Sequence, residues 1–405
     1  MHFQEQRPRG PRSRAARLRL RTPLLSILLV IGCGGDDGGP SAPTDGGPAA
    51  QARTEAVASL ASEVIVPAYR DFAAAAAELE TATATWRDSG SEDDRAAAQE
   101  AWRRAIDLWQ RAEVMQVGPA GAMDVTVGGE DLRDAIYSWP IVNRCRVDQE
   151  LVEEAYVDVD AFAAENVNVR GLDAMEPLLF VEGEGNGCAP NSSINRDGLW
   201  APIVSELPAR RAAYAATAAA LVRRDADALL ARWEGGFLAE MTEGGELFPT
   251  AQEALNALSD AMFYLDKETK DMKLAEPAGL SDVCVAEVCP ELRESLYANR
   301  SIEHVANNLR GFRAVFTGSE TGTGFDDLLV LNGAETLATD MLAAIDAALA
   351  TADAIEGDVP TALAADPDAL MPLYEAIRAL TDLLKTQFLG VLDLELPQRA
   401  EGDND

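Results

Sequence analysis

Asp173 and Glu176 stand three residues apart in the run Arg170-Gly171-Leu172-Asp173-Ala174-Met175-Glu176-Pro177-Leu178-Leu179-Phe180. On a helix, residues at that spacing share a face. Two neighbouring carboxylates can hold a hard cation through oxygen donors, and Leu172, Met175 and Leu179 supply the adjacent buried edge. Pro177 constrains the placement. In mid-helix it would leave the carbonyl of Asp173 without its N–H partner, so it fits better in a first turn with Asp173 near the N-cap. Spacing alone therefore favours a capping Asp with a surface Glu, and a cation-binding pair is the alternative.

Two further groups of residues could do chemistry. Trp102, Ile106 and Trp109 repeat at helical spacing, and Glu113 continues their stripe. A carboxylate on a buried stripe needs a partner, a bound cation or a proton. The plainer reading is a Glu at a bundle end that reaches water or an arginine. Ile302, Val305, Leu309, Phe312 and Phe316 form another apolar stripe, with Ser301, His304 and Asn308 as a polar row along its edge. The chain has 2 histidines, His2 and His304, and His2 lies in a leader that would be removed. Zinc hydrolases usually hold their metal with two or three histidines. Ser/His/Asp or Cys/His catalysis would have to use His304 itself, and no G-x-S-x-G occurs. General acid–base equipment for neutral pH is sparse, so hydrolysis is disfavoured.

The elements that must position these residues are helices. Alanine, the best helix former, runs unbroken from Ala73 to Ala77, and alternation of β-branched with polar residues is rare. Long helices are expected over about 54–86, with a kink at Pro67, and over 91–117, opened by Ser91-Glu92-Asp93-Asp94. Shorter ones are expected near 130–137 and 173–180, and a long one within 199–233. The second half has helices near 249–274, 301–316, 334–353 and 367–388. The fold class expected is all-α and bilobal, two packed four-helix bundles spanning 54–240 and 241–396, with an acidic tail at 397–405.

The chain begins with seven arginines between Arg7 and Arg21 and an apolar run from Leu24 to Ile31, too short to span a bilayer. Val30-Ile31-Gly32-Cys33 resembles a bacterial lipobox. The expectation is a signal peptide over 1–32, a lipid anchor on Cys33, and a flexible glycine-rich tether over 33–53. Gly34 after the cysteine favours the outer membrane in a Gram-negative cell. Removing residues 1–32, with their seven Arg and one Glu, takes the net charge from −34 to −40. Such a protein repels nucleic acid, and no nucleic-acid partner is expected. Four cysteines remain. Cys284 and Cys289 close a small loop and pair, which leaves Cys145 with Cys188, as suits an oxidising compartment.

The run from Gly171 to Phe180 resembles the imelysin signature, G-x-H-x-x-E followed by Leu-Leu-Phe. Ala101-Trp102-Arg103 through Trp109, Glu113 and Gly118-Pro119 is similar to the family's preceding helix, and Ile136-Tyr137-Ser138-Trp139-Pro140 to its Trp-Pro segment. Residues 267–275 and 301–318 resemble its later helices, and the likeness extends over roughly 54–395. The resemblance implies a bilobal helical envelope protein, often a lipoprotein, linked to iron uptake, with some members described as metallopeptidases. Glu176 matches the signature Glu, and Asp173 stands where the His would be, which replaces a nitrogen donor with a hard oxygen. Glu113 is then a third oxygen ligand, with Ser301, His304 and Asn308 facing the same cleft from the second lobe. The expected cofactor is a divalent or ferric ion, and iron-transport components are the expected partners. An envelope-anchored protein that binds a metal ion or a metal-bearing ligand is the leading reading. A metallopeptidase with an altered centre and a scaffold lipoprotein without a site are its alternatives.

Overall fold

The computed structural model describes residues 47–397. The signal peptide, the acylated Cys33, most of the tether and nearly all of the acidic tail lie outside the described residues.

Nine helices carry the architecture: α1 Pro48–Ser59, α2 Val66–Ser89, α3 Glu92–Ala112, α4 Gly171–Phe180, α5 Leu207–Arg232, α6 Ala251–Met262, α7 Ser301–Thr317, α8 Glu335–Asp353 and α9 Met371–Leu383. Shorter helices and turns connect them, and a π-helical stretch, Leu265–Ala275, follows α6. Among the described residues there is no strand.

Local sequence explains the boundaries. α1 begins at Pro48 rather than near Thr54, because proline in a first turn has its φ preset and needs no N–H partner there. The kink expected at Pro67 takes the form of a π turn, Leu60–Ile65, which widens the helix just before the residue that cannot donate. Ser91 caps α3 by accepting the Asp94 N–H at 3.1 Å, and Glu92, Asp93 and Asp94 complement the positive end of the helix dipole.

α2 packs between α3 and α5, and α4 packs on α5 and α3. In the second half α7 packs on α8, α8 on α9, and α9 on the π stretch. The two groups meet where α7 lies along α3, and one apolar core runs through both. Gly311 permits that approach: a Cβ there would come within 2.1 Å of the Arg111 carbonyl oxygen. Both disulfides form as paired from the sequence, Cys145–Cys188 and Cys284–Cys289.

Candidate functional site

The α3–α7 seam holds the chemistry. Trp102, Ile106 and Trp109 are buried along α3 as their spacing requires. The Trp102 indole N–H donates to the Leu172 carbonyl at 2.8 Å and so fixes the first turn of α4. α4 starts at Gly171, whose positive φ of 85° suits glycine and whose missing Cβ would sit 2.8 Å from the Ile136 carbonyl oxygen. That start puts Pro177 in the interior of the helix, not in its first turn. The reading of a capping Asp with a surface Glu is thereby corrected. Asp173 makes no capping hydrogen bond, and Glu176 is only 3% exposed. Its neighbours Leu172, Met175 and Leu179 all bury, and Glu176 goes in with them.

Asp173 and Glu176 line one cleft of about 250 Å³, together with Pro140, Arg144, Glu294 and Tyr297. The Glu176 Oε1 atom accepts three hydrogen bonds, from the Ser295 hydroxyl, the Tyr297 N–H at 3.3 Å and the Ala298 N–H at 2.9 Å. Its Oε2 and both Asp173 oxygens accept none, and neither residue forms an ion pair among the described residues. Burial pushes Asp173 well above the usual carboxylate range, and the charges of Glu176 and Glu294 push it further, with only Arg133 opposing. Burial also raises Glu176, against the pull of its hydrogen bonds and His304.

Behind this pair lies a fully buried polar network. Glu294 pairs with Lys273 at 3.0 Å and with the Nδ1 atom of His304 at 3.0 Å. It accepts from the Tyr137 hydroxyl at 2.7 Å and from Gln110 at 2.9 Å. Lys273 also donates to Gln110 at 2.6 Å and to Asn308 at 2.9 Å, and Asn308 donates to the Gln110 carbonyl at 2.7 Å. Burial alone would raise Glu294, but Lys273 and His304 outweigh it and hold the carboxylate well below its usual range. Tyr137 moves the other way, raised by burial and then by the Glu294 charge.

The predicted residues therefore divide. Asp173 and Glu176 share the cleft. Ser301, His304 and Asn308 are buried at the seam, but none lines the cleft: Ser301 accepts the Ser295 N–H at 3.1 Å, and His304 and Asn308 belong to the Glu294 network. Glu113 is fully buried and pairs with Arg133 at 3.3 Å, so of the two partners in the plainer reading it is the arginine that it reaches. It lies away from the cleft lining. Among the described residues no group of three or more His, Cys, Asp or Glu side chains is disposed to hold a metal ion. Of the three expected donors Asp173 and Glu176 reach the cleft and Glu113 does not; Glu276, Glu291 and Glu294 also line it, without being grouped with that pair as metal ligands. A bare ferric or calcium ion, which takes six or more oxygens, would find most of its coordination unfilled.

Sequence reasoning missed Glu294, Lys273, Gln110 and Tyr137. One signal was available: the chain has only four lysines, three of them within residues 267–273. Glu294 sits in a connecting loop, where no periodicity marks it.

A family model described as imelysin (Peptidase_M75) matches residues 65–387. "Iron-regulated protein A" of Synechococcus elongatus is 30% identical over 135 residues, and the match spans about a third (32%) of each chain. An imelysin-like protein from Psychrobacter arcticum has a similar structure, with a TM-score of 0.67 and 18% identity over 85% of this chain and 97% of that one. A putative iron-regulated protein A precursor from Parabacteroides distasonis gives a TM-score of 0.64 and 19% identity, over 85% and 95%. At those identities the structural likeness speaks to the fold.

Proposed function

Because this chain belongs to the imelysin family, we propose that it is an exported cell-envelope protein of iron handling, which binds iron already carried on a small chelating ligand in the Asp173–Glu176 cleft. The observation that carries the reading is the acid pair, Glu176 buried and Asp173 partly so, without a cation of its own among the described residues. Desolvated carboxylates with no counter-charge must keep a proton or take up a cation. Asp173 and Glu176 offer three unengaged oxygens, too few by themselves for a bare ion, and among the described residues no third acid is grouped with them as a metal ligand, so the rest of the coordination comes from the chelator. The cleft, at about 250 Å³, has room for a small complex of that kind. Iron enters this reading as cargo, supported by the iron-regulated names of two relatives. Attachment through an acylated Cys33, an outer-membrane location and hand-over to transport components belong to the same proposal, on the strength of the lipobox-like Val30-Ile31-Gly32-Cys33.

Calorimetric titration with ferric acetohydroxamate at one metal to two ligands, a monocation, tests it beside ferric, zinc and calcium ions. The expected outcome is one complex bound per chain, with affinity at least tenfold lower in the double variant Asp173→Asn with Glu176→Gln. Affinity should also rise with pH as Asp173 gives up its proton. No binding of the complex, or equal binding by a double variant that circular dichroism shows to be folded, contradicts the reading. So does tight binding of a bare ion with no uptake of the complex.

A further inference from the structure

On the other side of the Trp139–Pro140 segment lies a second cavity, of about 320 Å³, which does not depend on the reading above. Its mouth is formed by Val125, Asp131 and Pro140, all exposed, and Arg133, Asp134, Tyr264 and Glu268 line it further in. Among the described residues, two polar groups here have no hydrogen-bond partner. The Tyr264 hydroxyl is buried, on a residue only 1% exposed, and neither gives nor accepts a hydrogen bond. The Nε–H of Arg133 is likewise buried without an acceptor, although Nη1 reaches Asp134 at 3.0 Å and Nη2 reaches Glu113 at 3.3 Å. Leaving buried polar groups unmatched is costly, and a bound molecule is the usual remedy.

We propose that this cavity binds a small organic ammonium ion that also carries a neutral oxygen acceptor, such as an amino-acid amide. Tyr264 and Arg133 ask for an acceptor oxygen. That oxygen must be neutral, because Arg133 already faces the carboxylates of Glu113 and Asp134, and a third anion would meet their repulsion. The positive end answers Asp131 and Asp134 on the mouth side of the lining. Aromatic faces do not carry the recognition. Lys273 already stands 5.4 Å from the Trp139 ring centre and 5.2 Å from that of Tyr264. The volume suits a molecule of amino-acid size.

The probe is leucinamide, titrated by calorimetry into the full chain, with N-acetylleucinamide and leucine as controls. Leucinamide should bind. The acetylated form, which lacks the charge, and leucine, which adds a carboxylate, should each bind at least tenfold more weakly. Tyr264→Phe removes one hydroxyl and should weaken leucinamide about tenfold, the scale of one lost hydrogen bond in a buried site. Asp131→Asn, which keeps the shape and removes a charge, should also weaken it. Failure of leucinamide to bind the folded protein overturns the proposal and leaves a water-filled cavity. Equal affinity in Tyr264→Phe overturns it too, and leucine binding as well as leucinamide removes the charge argument on which it stands.

Discussion

Glu294 and Asp173 lie close together, Glu294 buried and Asp173 partly so, and are driven in opposite directions. Glu294 has Lys273 and His304 against it and stays ionised to strongly acidic pH. Asp173 has Glu176 beside it, Glu294 nearby and no ion-pair partner, and it is pushed toward the protonated form. Desolvation raises both carboxyls, so it is not what separates a structural carboxylate from one available to a ligand. The separation comes from whether the protein has supplied the counter-charge. On the Lys273 side the charges are matched by side chains from α3, α7, the π stretch and two loops. On the α4 side the match is incomplete and faces a cleft.

Breaking the matched side should have the largest effect. Lys273→Met leaves Glu294 buried without its cation and should cost about 3–5 kcal/mol of stability, as removal of one partner from a buried ion pair does. Denaturant unfolding measures it, and a loss under about 1 kcal/mol would mean that the seam is wetter than described. The smaller effect is on the unmatched side and has the opposite sign. Asp173→Asn should stabilise the protein at pH 7, on the order of 1 kcal/mol, the usual scale of a single substitution. Its pH dependence sharpens the contrast. An acid whose folded pKa is raised keeps its proton where the unfolded chain has released it, so it erodes stability as pH climbs from the ordinary carboxylate range through the folded pKa. The advantage of the Asp173→Asn variant over the unsubstituted chain, measured as the difference in unfolding free energy, should be near zero at about pH 4 and grow above it. Glu294, held low, contributes its full stability above the ordinary carboxylate range and loses it progressively as pH falls from there through its own depressed value.

Much of the frame was legible in the sequence, and the reasons are local. The Trp102–Ile106–Trp109 stripe, the acidic helix start at Ser91–Asp94 and the α7 stripe depend on neighbours in the chain, and each stands where spacing put it. Both disulfides followed from counting cysteines. The Asp173–Glu176 pair was visible, but its burial was not: Pro177 argued for a first turn, whereas the packing of Gly171 on Ile136 starts α4 early enough to leave the proline inside. Glu113 was rightly placed on a buried stripe, yet its partner, Arg133, comes from a separate short helix, Leu132–Ile136, which periodicity along α3 cannot reveal. For Glu294 the obstacle was greater. Its role is set by side chains drawn from several other segments, and only tertiary structure brings them together.

The opposed titration of these two carboxyls is the direct test. Carbon-13 NMR of the side-chain carboxyl groups over roughly pH 2.5 to 8, assigned by difference with Asp173→Asn and Glu294→Gln, follows each one separately. The account predicts that Asp173 titrates well above the ordinary aspartate range while Glu294 stays ionised to the acid end of the series. Two carboxyls titrating together near about pH 4 would contradict it, and with it the unmatched charge that makes the cleft a binding site.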